Sequence, residues 1–557
     1  MLQTTERPSG SKRKAQSGLT VHDATYDLLR SLGLTTVFGN PGSTEQPFLK
    51  NFPSDFQYVL GLQEASAVAM ADGFAQALKQ PVLVNLHTSA GTGNGMGNII
   101  AAYQGNTPLI ITAGQQHRRM LICDPMLANR DATALPRPWV KWAYQPSSAQ
   151  EVPAAIMRAY AIALQPPAGP VYVSIPLDDW DQPALGKPVI RSVSSRCAPD
   201  PDRLKQFAER IRRSRQPVLV YGQDIDRSGG WDAGIKFAER LRAPVFLAPL
   251  AERISFPMAH PQFQGMLPIA IGPLSERLRG FDLVIVVGAP VFRYYPYVAG
   301  SYLPEGAELL QITSDPHDTG AAIVGDSLLG DSRLALEALA ELVPANETRS
   351  SSPTPPRKKA QMPSPPNDPL TAAEAFAALS EVRPDDAIVV QESPSNAGDL
   401  MQLWPTVKPQ SYFSFASGGL GWNAPAAVGI ALAQQKSKSG RPVVAFIGDG
   451  SLQYSVQCLY TAAQQRLKVI YIVPCNGEYE ILKEFAVLED TPNVPALDIP
   501  GIDIVSLATG YGCIGVEAKT RDEIKTAFVA ALKADGPTVI AIPIMRQLRP
   551  LLAMSGE

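Results

Sequence analysis

The chain of 557 residues contains no run of eighteen apolar residues, so it offers no candidate membrane span. Its opening segment, Met1 to Gly18, is polar and basic and lacks the apolar core of a secretory signal, so a cytoplasmic location is expected. The Lys12-Arg13-Lys14 cluster there reads as a solvated leader. Positive charge is not in excess: 49 Lys and Arg against 52 Asp and Glu leave a formal charge of −3, which provides no basic field for nucleic acid. Five cysteines (Cys123, Cys197, Cys458, Cys475, Cys513) are scattered, odd in number and without Cys-x-x-Cys. That pattern argues against zinc and against a disulfide framework, and leaves reduced packing residues. A dinucleotide signature is also missing, because no Gly-x-Gly-x-x-Gly follows the strand-like Pro217–Gly222 or Phe281–Gly288 segments.

What is present is the composition of a large soluble α/β protein: 45% hydrophobic and 18% charged residues. The length exceeds what one core can fill and suggests about three units. Short Val/Ile-rich runs alternate with Ala/Leu-rich helical stretches over 18–190, 195–345 and 370–550, which predicts three doubly wound parallel sheets. A Ser/Pro-rich stretch, Thr348 to Pro369, reads as an extended linker across 346–369, and a weaker break lies between Asp178 and Pro201. The first and third units are candidates for one fold used twice.

In the third unit, Arg441-Pro-Val-Val-Ala-Phe-Ile-Gly448-Asp449-Gly450-Ser451 reads as a buried strand ending in a tight turn, and Leu467 to Gly477 reads as a second strand ending in Cys475-Asn476-Gly477. A hard cation such as Mg²⁺ takes oxygen ligands and borrows the rest from water and phosphate. Asp449, Asn476 and the carbonyl of Glu478 fit that need. Gly448 and Gly450 let backbone N–H groups approach phosphate, and a helix beginning near Ser451 would turn its positive end toward it. On Gly-Asp-Gly alone, a turn with a capping Asp accounts for the motif as well.

The first unit carries three further strand ends. Thr36-Val-Phe-Gly-Asn40-Pro41-Gly42-Ser43-Thr-Glu45 reads as strand, turn and helix start, with Ser43 exposed; a Ser43/Gln46 capping box explains it equally on local grounds. Glu64 follows Tyr58-Val-Leu-Gly-Leu-Gln63 at the start of an Ala-rich helix, Ala65 to Leu78, where the helix dipole favours an acid, yet its apolar neighbours would demand a specific partner. His87 ends the strand Pro81 to Leu86 and precedes a Gly-rich loop, Gly91-Thr-Gly93-Asn94; alone, such a histidine is usually structural. Ligands gather at the carboxyl ends of parallel strands, so Ser43, Glu64 and His87 are expected to share one cleft.

Gly448-Asp449-Gly450 followed by Asn476 resembles the diphosphate-binding signature of thiamine diphosphate enzymes, with Cys475 in place of the first asparagine of the usual pair. Longer stretches are similar to benzoylformate decarboxylases: Asn40-Pro41-Gly42-Ser43, Leu62-Gln63-Glu64-Ala65, Asn85-Leu86-His87, Ala90 to Asn94, Thr112 to Gln116, Leu135 to Pro138, Gly288 to Tyr294 and Gly418-Gly-Leu420-Gly421. The likeness runs from about residue 20 to 545. It implies thiamine diphosphate and Mg²⁺ as cofactors, with Asp449, Asn476 and the Glu478 carbonyl as metal ligands. Gly418, Leu420, Gly448, Gly450, Ser451 and Tyr479 would line the cofactor, and Glu64 would bond its aminopyrimidine ring. Ser43 would hold the substrate and His87 would move protons. The implied activity is that of a carboxy-lyase converting benzoylformate to benzaldehyde and CO₂, with carboligation of aldehydes to 2-hydroxy ketones. The implied assembly is a homodimer at least, usually a homotetramer, with the cofactor between the first unit of one subunit and the third of another.

Several residues depart from that family. Tyr295 stands where a second catalytic histidine is expected; a phenol of reference pKa about 10 is a weaker base at neutral pH than imidazole, which would favour carboligation over aldehyde release. Phe485 is the expected aromatic wall of the substrate pocket, whereas Ile481 replaces a small residue and would favour short aliphatic 2-oxo acids, as in acetolactate synthases or pyruvate decarboxylases. Trp422 and Leu127 are further candidates for the pocket lining, although each also reads as core. Glu480 replaces an expected glycine with no account in the sequence, and Pro394 is unusual in a loop over the cofactor. Tyr295 and Cys475 also fit a non-catalytic homologue, against which Glu64, His87 and Asp449 weigh.

Overall fold

The computed structural model describes residues 18–346 and 363–551, so the basic leader and most of the Ser/Pro-rich linker lie outside the described residues. Among the described residues no helix is long and apolar enough to cross a membrane. Three parallel six-stranded sheets follow one another along the chain. The first contains β1 (Thr36–Gly39), β2 (Gln57–Leu60), β3 (Val82–Leu86), β4 (Leu109–Gln115), β5 (Ala143–Tyr144) and β6 (Val171–Pro176), in the order β2-β1-β3-β4-β6-β5. The second contains β7 (Pro217–Tyr221), β8 (Val245–Leu247), β9 (Phe263–Met266), β10 (Leu283–Val287), β11 (Glu308–Thr313) and β12 (Asp326–Leu329), in the order β12-β11-β10-β7-β8-β9. The third contains β13 (Ile388–Glu392), β14 (Tyr412–Ser414), β15 (Val443–Ile447), β16 (Val469–Cys475), β17 (Ile514–Glu517) and β18 (Thr538–Pro543), in the order β14-β13-β15-β16-β18-β17.

The central strands are Val/Ile-rich and buried on both faces, as helices on either side of a parallel sheet require. The first and third sheets have the same order, so one fold is indeed used twice. The middle sheet has the dinucleotide-binding order, and the turns after β7 and β10 pack closely: a Cβ on Gly222 would lie 2.3 Å from the Gly288 carbonyl oxygen. The five cysteines are free. Cys458 and Cys513 are packing residues as expected, whereas Cys123 and Cys197 are exposed, because the turn Arg118–Cys123 and the extended stretch that carry them lie on the surface, with no residue of that turn buried.

The first and third units share a core. Helix Glu64–Leu78 crosses helix Asn423–Ser437, and both are largely buried and rich in Ala, each with one Gly. A helix with little amphipathic contrast belongs inside a protein. The crossing is set backbone to backbone: a Cβ on Gly429 would lie 1.9 Å from the Met70 carbonyl oxygen, and one on Gly73 2.2 Å from that of Ala426. One polar bond spans it, from the Trp422 indole Nε1 to Asp72 Oδ2 at 2.7 Å. Burial raises the Asp72 carboxyl above its ordinary pKa, against the hydrogen bonds that favour its charge. Gly429→Ala is therefore expected to destabilise the protein by about 3 kcal/mol, since backbone on both sides leaves no side chain to yield; chemical denaturation checks this, and a wild-type midpoint would show that the helices can move apart.

Candidate active site

The carboxyl ends of β1, β2 and β3 bring Ser43, Glu64 and His87 together. Glu64 opens its helix one residue earlier than expected and is buried. Its two oxygens accept from Asn40 Nδ2 (3.3 Å) and Asn94 Nδ2 (3.1 Å), the specific partners that a buried carboxylate needs. His87 follows β3 as the residue before helix Thr88–Gln104. The Gly-rich segment after it is helix rather than loop. Its small residues let that helix approach Glu64: a Cβ on Gly91 would sit 3.2 Å from Glu64 Oε1 and 3.3 Å from His87 Cβ. This close packing outweighs the poor helix propensity of glycine.

The Ser43/Gln46 capping box does not form. The short helix Gln46–Leu49 has Glu45 as its N-cap, without a side-chain cap, and Ser43 stays exposed in the turn before it. The Glu45 side chain instead points inward and is fully buried. Oε2 lies 2.9 Å from His87 Nδ1 and accepts from Gly42 N–H at 3.1 Å, while Oε1 accepts from Gly114 N–H at 2.9 Å and Thr44 Oγ at 2.7 Å. A carboxylate offers only acceptors, so this network assigns the proton to Nδ1 and leaves the Nε2 lone pair available for proton exchange. Gly42 is part of the fit, since a Cβ there would lie 2.1 Å from His87 Nδ1. Sequence reasoning missed Glu45, whose acidic place at a helix start resembles any dipole-favoured residue.

In the third sheet, β15 and β16 end side by side and present Asp449 and Asn476. The Gly477 N–H donates to Asp449 Oδ2 (2.8 Å) and the Gly450 N–H to Oδ1 (2.8 Å). Burial raises the Asp449 carboxyl above its usual range, and these amides oppose the shift. The helix after β15 begins at Asp449, two residues before the expected start, and is only five residues long; Ser451 is buried inside it. Asn476 Oδ1 accepts from the Glu478 N–H (3.1 Å), and Nδ2 donates to Glu480 Oε2 (2.7 Å). The Tyr479 ring covers Gly450, where a Cβ would lie 2.7 Å from its Cε1. Asp449 and Asn476 thus offer oxygen donors of the kind a hard cation takes.

The turn Gly418–Gly421, which carries Leu420, is held by a residue absent from the sequence-level candidates. Glu392, fully buried at the end of β13, accepts from the N–H groups of Gly421 (2.6 Å), Trp422 (3.0 Å) and Asn423 (2.8 Å) at the start of helix Asn423–Ser437. Burial pushes its carboxyl up to about 7 despite those donors. Pro394 begins a 3-10 turn, Pro394–Asn396, immediately after it, a first-turn position that costs no hydrogen bond.

The pocket-wall candidates divide. Tyr295 of the middle unit packs on Phe485 of helix Glu480–Leu488, with ring centroids 4.8 Å apart, and Ile481 lies one turn before Phe485. Leu127 is exposed in the segment following β4. Trp422 does not line a cavity: at 1% exposure it is core, tied to Asp72 through its indole N–H. Among the described residues, no hydrogen bond, ion pair or ring contact joins the Ser43/Glu64/His87 group to the Asp449/Asn476/Phe485 group. Glu45→Gln is expected to release His87 from its single tautomer. With only five histidines in the chain, imidazole ¹⁵N shifts of the labelled protein resolve this; unchanged His87 shifts in the variant would show that Glu45 does not set the ring.

Comparison with known proteins bears on the same residues. Residues 19–131 match the N-terminal TPP binding domain of thiamine pyrophosphate enzymes, residues 204–339 the central domain and residues 395–542 the C-terminal TPP binding domain. The chain is 47% identical over 529 residues to benzoylformate decarboxylase of Pseudomonas aeruginosa, covering 94% of this chain and 98% of that one. The crystal structure of benzoylformate decarboxylase from Polynucleobacter necessarius superposes with a TM-score of 0.94 at 52% identity, over 95% of this chain and 99% of the other. The thiamine diphosphate-dependent 4-hydroxybenzoylformate decarboxylase of Rhodococcus jostii RHA1 gives a TM-score of 0.91 at 42% identity, over 95% and 100%. With three matching domains in sequence order and near-complete coverage, this chain belongs to the benzoylformate decarboxylase family of thiamine diphosphate-dependent enzymes.

Proposed function

We propose that this chain is a cytoplasmic carboxy-lyase that releases CO₂ from an aromatic 2-oxo acid, benzoylformate, with thiamine diphosphate held through Mg²⁺. In the net reaction the bond between the carboxylate and the carbonyl carbon breaks, CO₂ leaves, and a proton takes its place to give benzaldehyde. The observation that carries this reading is Glu64, a buried acid at a strand end whose partners in the chain are two asparagine amides. The names of its relatives set the substrate class. Thiamine diphosphate supplies the electron sink for the departing CO₂. Asp449, Asn476 and the Glu478 carbonyl would hold the metal, an all-oxygen set with one carboxylate of the kind a hard cation takes alongside phosphate. Gly418, Leu420, Gly448, Gly450, Ser451 and Tyr479 line the cofactor. Glu64 bonds the aminopyrimidine, Ser43 orients the substrate carboxylate, and His87, held by Glu45, exchanges protons through Nε2.

The site takes two subunits. Among the described residues no hydrogen bond, ion pair or ring contact joins the Glu64 and Asp449 groups, and the segment following β4 exposes Ile122 (91%) and Met126 (84%), with Met120 and Leu127 beside them. Exposed apolar side chains following one another in this way suit a surface that meets a partner. A homodimer supplies that partner, and a homotetramer is the expected assembly.

Tyr295 and Ile481 favour a second reading within the same chemistry. The Tyr295 ring is held on Phe485, so a phenol rather than an imidazole faces this wall, which favours carboligation to 2-hydroxy ketones. Ile481 takes up space one turn away, which favours short aliphatic 2-oxo acids. With thiamine diphosphate and Mg²⁺ present, CO₂ release is expected to be faster from benzoylformate than from pyruvate, with benzaldehyde as product. Faster release from pyruvate, or hydroxy ketone in place of aldehyde, would establish the second reading. Tyr295→His is expected to raise the ratio of aldehyde to hydroxy ketone in product analysis with excess aldehyde supplied; an unchanged ratio would remove Tyr295 from product control.

A further inference from the structure

We infer that Glu480 is a positioning residue that fixes the side-chain amide of Asn476 with its oxygen, rather than its nitrogen, available to a metal ion. The inference rests on the reading that Asp449 and Asn476 anchor a metal diphosphate. Glu480 opens helix Glu480–Leu488 and is 4% exposed. A terminal amide is nearly symmetric in shape, so only its partners decide which end points where. Here both ends are specified. Nδ2 donates to Glu480 Oε2 at 2.7 Å, and Oδ1 accepts from the Glu478 N–H at 3.1 Å. A flipped amide would set Oδ1 against the Glu480 carboxylate and the NH₂ group against the Glu478 N–H, two like-with-like contacts.

The same turn holds the other anchor. Successive backbone N–H groups bind the two oxygen donors, Gly477 to Asp449 Oδ2 and Glu478 to Asn476 Oδ1. Arg546 Nε donates to the Asn476 carbonyl oxygen at 2.9 Å and Nη2 to that of Gly477 at 3.3 Å, so the backbone of the turn is fixed from its other side. The glycine expected at position 480 would leave the Asn476 NH₂ without this acceptor. Partners of this kind, behind a ligand, typically alter metal affinity by about 10–100-fold.

The test is Mn²⁺ binding to metal-free protein in the presence of thiamine diphosphate, read as free Mn²⁺ by electron paramagnetic resonance, with no turnover involved. Glu480→Ala should weaken Mn²⁺ binding by about 10-fold or more. Glu480→Gln should stay within about 3-fold of wild type, because its Oε1 still accepts from Nδ2. Glu484→Gln, one turn along the same helix, should also leave affinity unchanged. Glu480→Leu replaces the alanine variant if that one does not fold. Wild-type affinity without an acceptor at 480, or equal losses in Glu480→Gln and Glu480→Ala, would overturn the inference, the latter because charge rather than orientation would then be at work. Asn476→Ala separates the two claims: Mn²⁺ affinity unaffected by that change would overturn the anchor reading and the inference with it.

Discussion

The first and third units are held to each other by a contact in which two helix backbones touch. Glycine at 73 and 429 lets the Glu64–Leu78 and Asn423–Ser437 helices meet with no side chain between them, and each helix begins at a candidate site residue or turn. One starts with Glu64; the other starts at the turn that Glu392 holds. Side-chain packing tolerates small rearrangements, but backbone contact fixes distance and angle together. Two sheets that would otherwise be separate units thereby share a core.

A second theme is the use of buried acids as fixtures. Glu45 holds a histidine ring, Glu392 a helix start, Asp449 two backbone amides and Glu480 a side-chain amide. Each lies near the carboxyl end of a strand, where the unpaired N–H groups of turns and helix starts supply donors. Burying a carboxylate is costly unless it is fully bonded, so each of them specifies its neighbours closely. The raised carboxyl of Glu392, at about 7, is the mark of that cost.

The architecture was legible because buried parallel strands announce themselves as Val/Ile runs ending in Gly, Asp or Asn. For the same reason Glu64, His87, Asp449 and Asn476 could be placed at strand ends from the sequence. Glu45 could not: its partners His87 and Gly114 are 42 and 69 residues away, and nothing local separates an inward acid from an outward one at a helix start. The segment after His87 read as a loop because four glycines lie between residues 91 and 97, and only the approach to Glu64 makes them useful in a helix. Trp422 read both as a pocket candidate and as core; what decides for core is its bond to Asp72, 350 residues distant. Glu480 had no account from the sequence because its role lies in a single side-chain bond.

The middle sheet carries none of the strand ends that bear Ser43, Glu64, His87, Asp449 and Asn476. Gly222 packs on Gly288 at its centre, and the unit reaches the Phe485 ring through Tyr295 on a loop. It serves as a bracket. The residue on that loop can be exchanged without disturbing Glu64, His87, Asp449 or Asn476, which are mounted on the other two sheets.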